Sequence, residues 1–109
     1  MNATATALLS IDELRATVRP VCERHAVLRL DLFGSRAQGT ADADSDVDLM
    51  VEFLPESNPG LFEMGALQDA LEQRLGRRVG LLSRRAVEKS RNVFRRRAIL
   101  DGPVALYAR

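Results

Sequence analysis

Two runs of alternating apolar and charged residues, Val27–Phe33 and Asp46–Phe53, lie either side of a polar stretch that opens with Gly34-Ser35. A period of two sends successive side chains to opposite faces, so each run predicts a β-strand. In the first, Leu28, Leu30 and Leu32 alternate with Arg29 and Asp31. In the second, Val47, Leu49, Val51 and Phe53 face one way, and Asp46, Asp48, Met50 and Glu52 the other. Gly34-Ser35 breaks the first strand, and Arg36 to Ser45 reads as a polar connection.

Helical signals surround this pair. Ser10 followed by Glu13 is a capping box, and Ile11, Leu14, Val18, Val21 and Cys22 then recur at helical spacing. Pro20 inside that pattern predicts a kink or a division. After a loop from Pro55 to Gly60, a second helix is expected over Leu61–Leu75, with Met64, Leu67, Leu71 and Leu75 on its stripe and Gly76 ending it. Val79–Ser83 reads as a short strand, Arg85–Leu100 as one basic helix closed by Asp101-Gly102-Pro103, and Val104–Tyr107 as a last strand. The order α-β-β-α-β-α-β predicts an α/β (α+β) fold, a small mixed β-sheet packed against helices.

The 109 residues leave room for one domain, expected at 10–109 behind a flexible, Ala/Thr-rich tail at 1–9. That tail lacks the basic start and apolar core of a secretory signal, and no apolar run is long enough to span a membrane. One cysteine, Cys22, excludes an internal disulfide framework, so the expected compartment is the cytoplasm. A net charge of +1 hides a lopsided distribution. Asp31 to Glu72 holds ten acidic residues and one basic residue, Arg36; Arg74 to Arg97 holds ten basic residues and one acidic residue, Glu88. The acidic middle suits cations, and the basic end suits phosphates or an acidic partner, although much of each is simply solvated surface.

The chemistry concentrates at Phe33-Gly34-Ser35-Arg36-Ala37-Gln38-Gly39 and Asp46-Val47-Asp48. A Gly-Ser turn at a strand end lets the backbone approach a ligand, and its N–H groups and hydroxyl can grip phosphate oxygens. Asp46 and Asp48, two apart on a strand, project from one face. Their repulsion makes sense if a divalent cation lies between them, and Mg2+ is held by a few carboxylates together with substrate phosphates. Either piece alone is an ordinary turn or a solvated strand edge. Ten residues apart, the two together point to a nucleotide site. His25 reads as a helix-end polar residue and Tyr107 as an edge-strand aromatic. Phe94 is the one aromatic residue among the arginines from Arg84 to Arg97, too few for a stacking platform, which argues against direct nucleic-acid binding.

The pattern Gly34-Ser35, ten residues, Asp46-Val47-Asp48 resembles the signature of DNA-polymerase-β-type nucleotidyltransferases, and the short chain resembles the minimal (MNT, MntA-like) members. The resemblance extends through Leu61-Phe62, Leu75 to Val79 and Val104 to Tyr107. It implies the polymerase-β-like fold and an antitoxin paired with a HEPN-family toxin in a hetero-oligomer. It also implies transfer of AMP from Mg-ATP to a toxin hydroxyl, that of a tyrosine above all. Gly34, Ser35 and Arg36 would contact the triphosphate, and Asp46 and Asp48 would ligate two Mg2+ ions as the catalytic carboxylates. An antibiotic or RNA acceptor is disfavoured, since no further substrate domain fits the length.

Two positions depart from the family pattern. Gln38 stands where many members have Arg. Gly80, in Val79-Gly80-Leu81-Leu82, stands where relatives carry a third metal carboxylate. Three readings follow: an antitoxin that works by binding alone, a substitute carboxylate such as Asp31 or Glu52, or a substitution introduced to trap a complex.

Overall fold

In the computed structural model, which describes residues 9–39, 46–57, 60–100 and 102–109, a four-stranded mixed sheet lies between helices on both faces. The elements run α1 (Ile11–Arg24), β1 (Val27–Phe33), α2 (Ser35–Gln38), β2 (Val47–Phe53), α3 (Leu61–Leu75), β3 (Val79–Ser83), α4 (Arg84–Glu88), α5 (Val93–Leu100) and β4 (Val104–Ala108). The strand order is β3-β2-β1-β4. β1 pairs antiparallel with β2 and β4, while β2 and β3 run parallel. A parallel neighbour needs a crossover, and α3 supplies it.

α1 begins at the expected capping box, with Ser10 accepting from the Glu13 N–H and Glu13 accepting from the Ser10 N–H. It runs undivided through Pro20, so of the expected kink or division the division does not occur. Proline deprives the Ala16 carbonyl of its helical donor, and Ala16 is exposed, so water can replace the lost bond. Leu14, Val18, Val21 and Cys22 then pack with Leu67, Leu71 and Leu75 of α3 against Leu30, Leu32, Val47, Leu49, Val51 and Val79. Burial pushes the Cys22 thiol up to about 12, as expected of an inert core residue. Leu9, assigned to the tail from sequence, packs against this core; residues 1–8 lie outside the described residues. The C-terminus is tied in as well: Arg109 donates to the Cys22 and Glu23 carbonyls at the end of α1 and to that of Val27.

One further expectation is corrected, and two features go beyond the sequence reading. The polar connection after Gly34 begins with the short helix α2, and residues 40–45 lie outside the described residues. The single basic helix is two, α4 and α5. The break falls where Ser90 Oγ accepts from the Asn92 N–H, a local bond that competes with helix continuation. The outward face of β2 is not wholly solvated either: Met50 is buried with Val87 and Ile99, beside Phe33, Leu82 and Leu100. α4 and α5 thus cover part of the sheet face that carries Asp48.

Candidate active site

At the end of β1 the backbone turns at Gly34 with φ 77° and ψ −154°, a combination open to glycine and costly for other residues. Gly34 caps α2, and Gly39, at φ 78°, closes it in the left-handed region. The antiparallel register sets Phe33 opposite Asp48, so the Asp48 side chain lies against this turn. A Cβ at Gly34 would fall 2.5 Å from Asp48 Oδ2. On the other side, the parallel register pairs Asp48 with Gly80, where a Cβ would fall 2.9 Å from Oδ1. The carboxylate therefore fits between two glycines, in space that any other residue would invade.

Asp46, exposed, precedes β2 by one residue. Burial raises the Asp48 pKa first and the Asp46 charge second, while Arg36 on α2 pulls it down. This arrangement favours binding a cation, since a positive ion would relieve both causes of the upward shift. Among the described residues no group of three or more His, Cys, Asp or Glu converges as a ready-made metal cage. Two carboxylates suit an ion that completes its shell with phosphate oxygens and water. The structure thus brings Gly34, Ser35, Arg36 and Asp48 to one corner with Asp46 beside them, and places Gly80 against Asp48. The Gln38 side chain lies outside what is described.

A family model for a nucleotidyltransferase domain matches residues 14–104. The chain belongs to the nucleotidyltransferase domain family. The protein adenylyltransferase MntA of Thermococcus cleftensis is 34% identical over 86 residues, covering 75% of this chain and 85% of that protein. A solved minimal nucleotidyltransferase is 35% identical with a TM-score of 0.67, covering 88% of this chain and 95% of the other. A toxin–antitoxin complex with AMP-PNP contains a chain of the same fold, with a TM-score of 0.67 at 18% identity; the match covers 87% of this chain and 73% of that one.

In this nucleotidyltransferase domain neither proposed substitute carboxylate stands in for a side chain at position 80. Glu52 is exposed and four residues from Asp48 along β2, roughly 13 Å at a strand's rise per residue. Asp31 shares the face of Asp48 but sits opposite Met50, two register pairs farther along, and is only 1% exposed. Its Oδ2 lies 3.0 Å from Arg84 Nη1 and 3.0 Å from Arg29 Nε. That ion pair ties β1 to the start of α4, a link between residues 53 apart that no sequence pattern signalled. Asp31→Ala should destabilise the fold by about 3 kcal/mol, because among the described residues it leaves the largely buried Arg84 with Glu88 as its one carboxylate partner. Urea denaturation of Asp31→Ala against Asp31→Leu/Arg84→Met checks this, the double variant being expected to recover most of the loss.

Proposed function

We propose that this protein is the antitoxin of a HEPN/MNT-type toxin–antitoxin pair, acting in the cytoplasm by transferring AMP from Mg-ATP to a hydroxyl of its toxin. The observation that carries this reading is the Asp48 carboxylate held between Gly34 and Gly80, beside Asp46 and Arg36. Its support from kin is the MntA relative, named a protein adenylyltransferase, and a structural neighbour of 14% identity described as an MNT antitoxin complexed with a tri-AMPylated HEPN toxin.

Asp46 and Asp48 would hold the metal, and Gly34 and Ser35 would present backbone N–H groups to the triphosphate, with Arg36 neutralising charge nearby. When bound, Mg2+ supplies charge neutralisation on the phosphates and acidifies the attacking hydroxyl. The acceptor oxygen bonds to the α-phosphorus, the link from that phosphorus to the β-phosphate breaks, pyrophosphate leaves and the hydroxyl proton is lost. The chain's own contribution is mainly position: the glycine cradle fixes Asp48, and the turn fixes the phosphates.

Gly80 favours a second reading, neutralisation of the toxin by binding alone. Co-expression with the HEPN partner followed by its intact mass separates the two. One or more added AMP groups are expected. An inhibited, bound but unmodified toxin would leave the binding reading standing.

A further inference from the structure

We propose that the chain associates with itself head to tail, the Phe62 ring of one copy seating in the cavity between α4 and α5 of the next. This contact is independent of the transferase reading. Among the described residues two large apolar side chains are exposed, Phe62 at 91% and Val93 at 50%. Phe62 stands in the first turn of α3. Gly65 and Ala66, exposed one turn later, leave the flank of its ring bare. A Cβ at Gly65 would meet nothing within 4 Å, so the chain's own packing does not require this glycine. Glycine weakens a helix interior, and here it lets another surface come close to the ring.

The cavity has room for that ring. Its volume is about 150 Å³, and it is lined by Leu82, Ala86, Val87, Ser90, Arg96 and Ile99. An apolar cavity of about this volume takes a benzene-sized ring, which is the end of a phenylalanine side chain. Val87 and Ile99 are buried and give an apolar floor, while Ala86 is exposed at the mouth. Arg96 Nη1 lies 3.5 Å from the Ser90 carbonyl oxygen, which holds a guanidinium at the wall, where it can stack on an aromatic face. Val93, three residues before Arg96 on α5, shares its helix face and extends the apolar surface. The two exposed apolar side chains thus belong to the two surfaces that would meet.

Charge selects a second copy as the occupant. The groove beside Phe62 is lined by Asp69 and Glu72, and exposed Glu63 adjoins the ring. The segment that forms the cavity instead exposes Arg85, Lys89, Arg91 and Arg97, with Glu88 the exception. Opposite signs on two surfaces favour their approach. α3 packs with α1 on one face of the sheet, and α4 and α5 pack on the other. One chain cannot therefore fill its own cavity, and the contact joins copies through two different surfaces.

The test is sedimentation velocity of the full chain at concentrations rising into the millimolar range. Wild type should sediment faster as its concentration rises. Phe62→Ala removes the ring. Ala86→Glu sets a carboxylate at the mouth, three residues after the Ser83 N-cap, where Glu suits a helix start. Each variant alone should associate at least about tenfold more weakly, without loss of thermal stability. Mixed, the two should form a one-to-one dimer, since the Ala86→Glu copy keeps its Phe62 and the Phe62→Ala copy keeps its cavity. A mixture that stays monomeric overturns the pairing, as does undiminished association of either variant. Wild type that stays monomeric also overturns it, and leaves Phe62 to a partner of another sequence.

Discussion

The Asp46→Asn/Asp48→Asn double variant is expected to lose Mg2+-dependent ATP binding by at least about a hundredfold, since changing mere outer-shell partners of a metal already costs ten- to a hundredfold. Asparagine keeps the shape of each side chain and removes its charge, so the glycine cradle around Asp48 is undisturbed. The fold should not suffer. Asp48 has a raised pKa, chiefly through burial, so ionising it is harder in the folded protein than in the unfolded chain. The pH dependence follows in sign: a raised folded-state pKa means that ionising this group costs stability as pH rises through its titration. A neutral Asn escapes that cost, and the metal-free variant should melt no lower than wild type above that range. Calorimetric titration with Mg-ATP, paired with thermal melts without metal, reads both effects. Unchanged ATP binding in a folded variant would remove Asp46 and Asp48 from the site.

Much of this corner could be read from the residues because local rules govern it. Alternation predicts Asp48 on the face opposite Leu49 and Asp46 just before it, and the Gly34-Ser35 break ends β1 where its partner begins. The ends of α1 and α3 follow from the Ser10–Glu13 box and from Gly76, found at φ 68° in the left-handed cap. What stayed illegible depends on partners distant in sequence. Met50 sits in a polar-looking row, and only the packing of Val87 and Ile99 over it decides that it is buried. Asp31 offered the same alternation as a solvated charge, and its pairing with Arg84 follows from the arrival of α4 after β3. The break between α4 and α5 turns on one serine hydroxyl, a signal too small to outweigh the helical pattern around it. The strand order, and with it the pairing of Asp48 with Gly80, follows from the crossover through α3 and not from any single segment.

That pairing makes position 80 the place where the site can be rebuilt. Gly80→Asp is expected to raise the rate of AMP transfer to the toxin by roughly ten- to a hundredfold, since a further carboxylate beside Asp48 would help hold the metal that activates the attacking hydroxyl. The new Cβ would lie 2.9 Å from Asp48 Oδ1. Only the end of a side chain stands in its way, so Asp48 can swing aside. Without metal, the added charge joins Asp46 and Asp48 in one corner, and the variant should be less stable than wild type. Mg2+ should then stabilise the variant more than wild type, because it binds the folded state that gathers those carboxylates. Single-turnover labelling of the toxin and Mg2+-dependent melting temperatures therefore test one idea by independent readouts. A larger Mg2+-dependent rise in melting temperature with no gain in transfer would show a rebuilt metal site in a protein whose role is to bind its toxin. If neither changes, the Gly80 side of the sheet lies outside the metal site, and Asp48 is served from elsewhere.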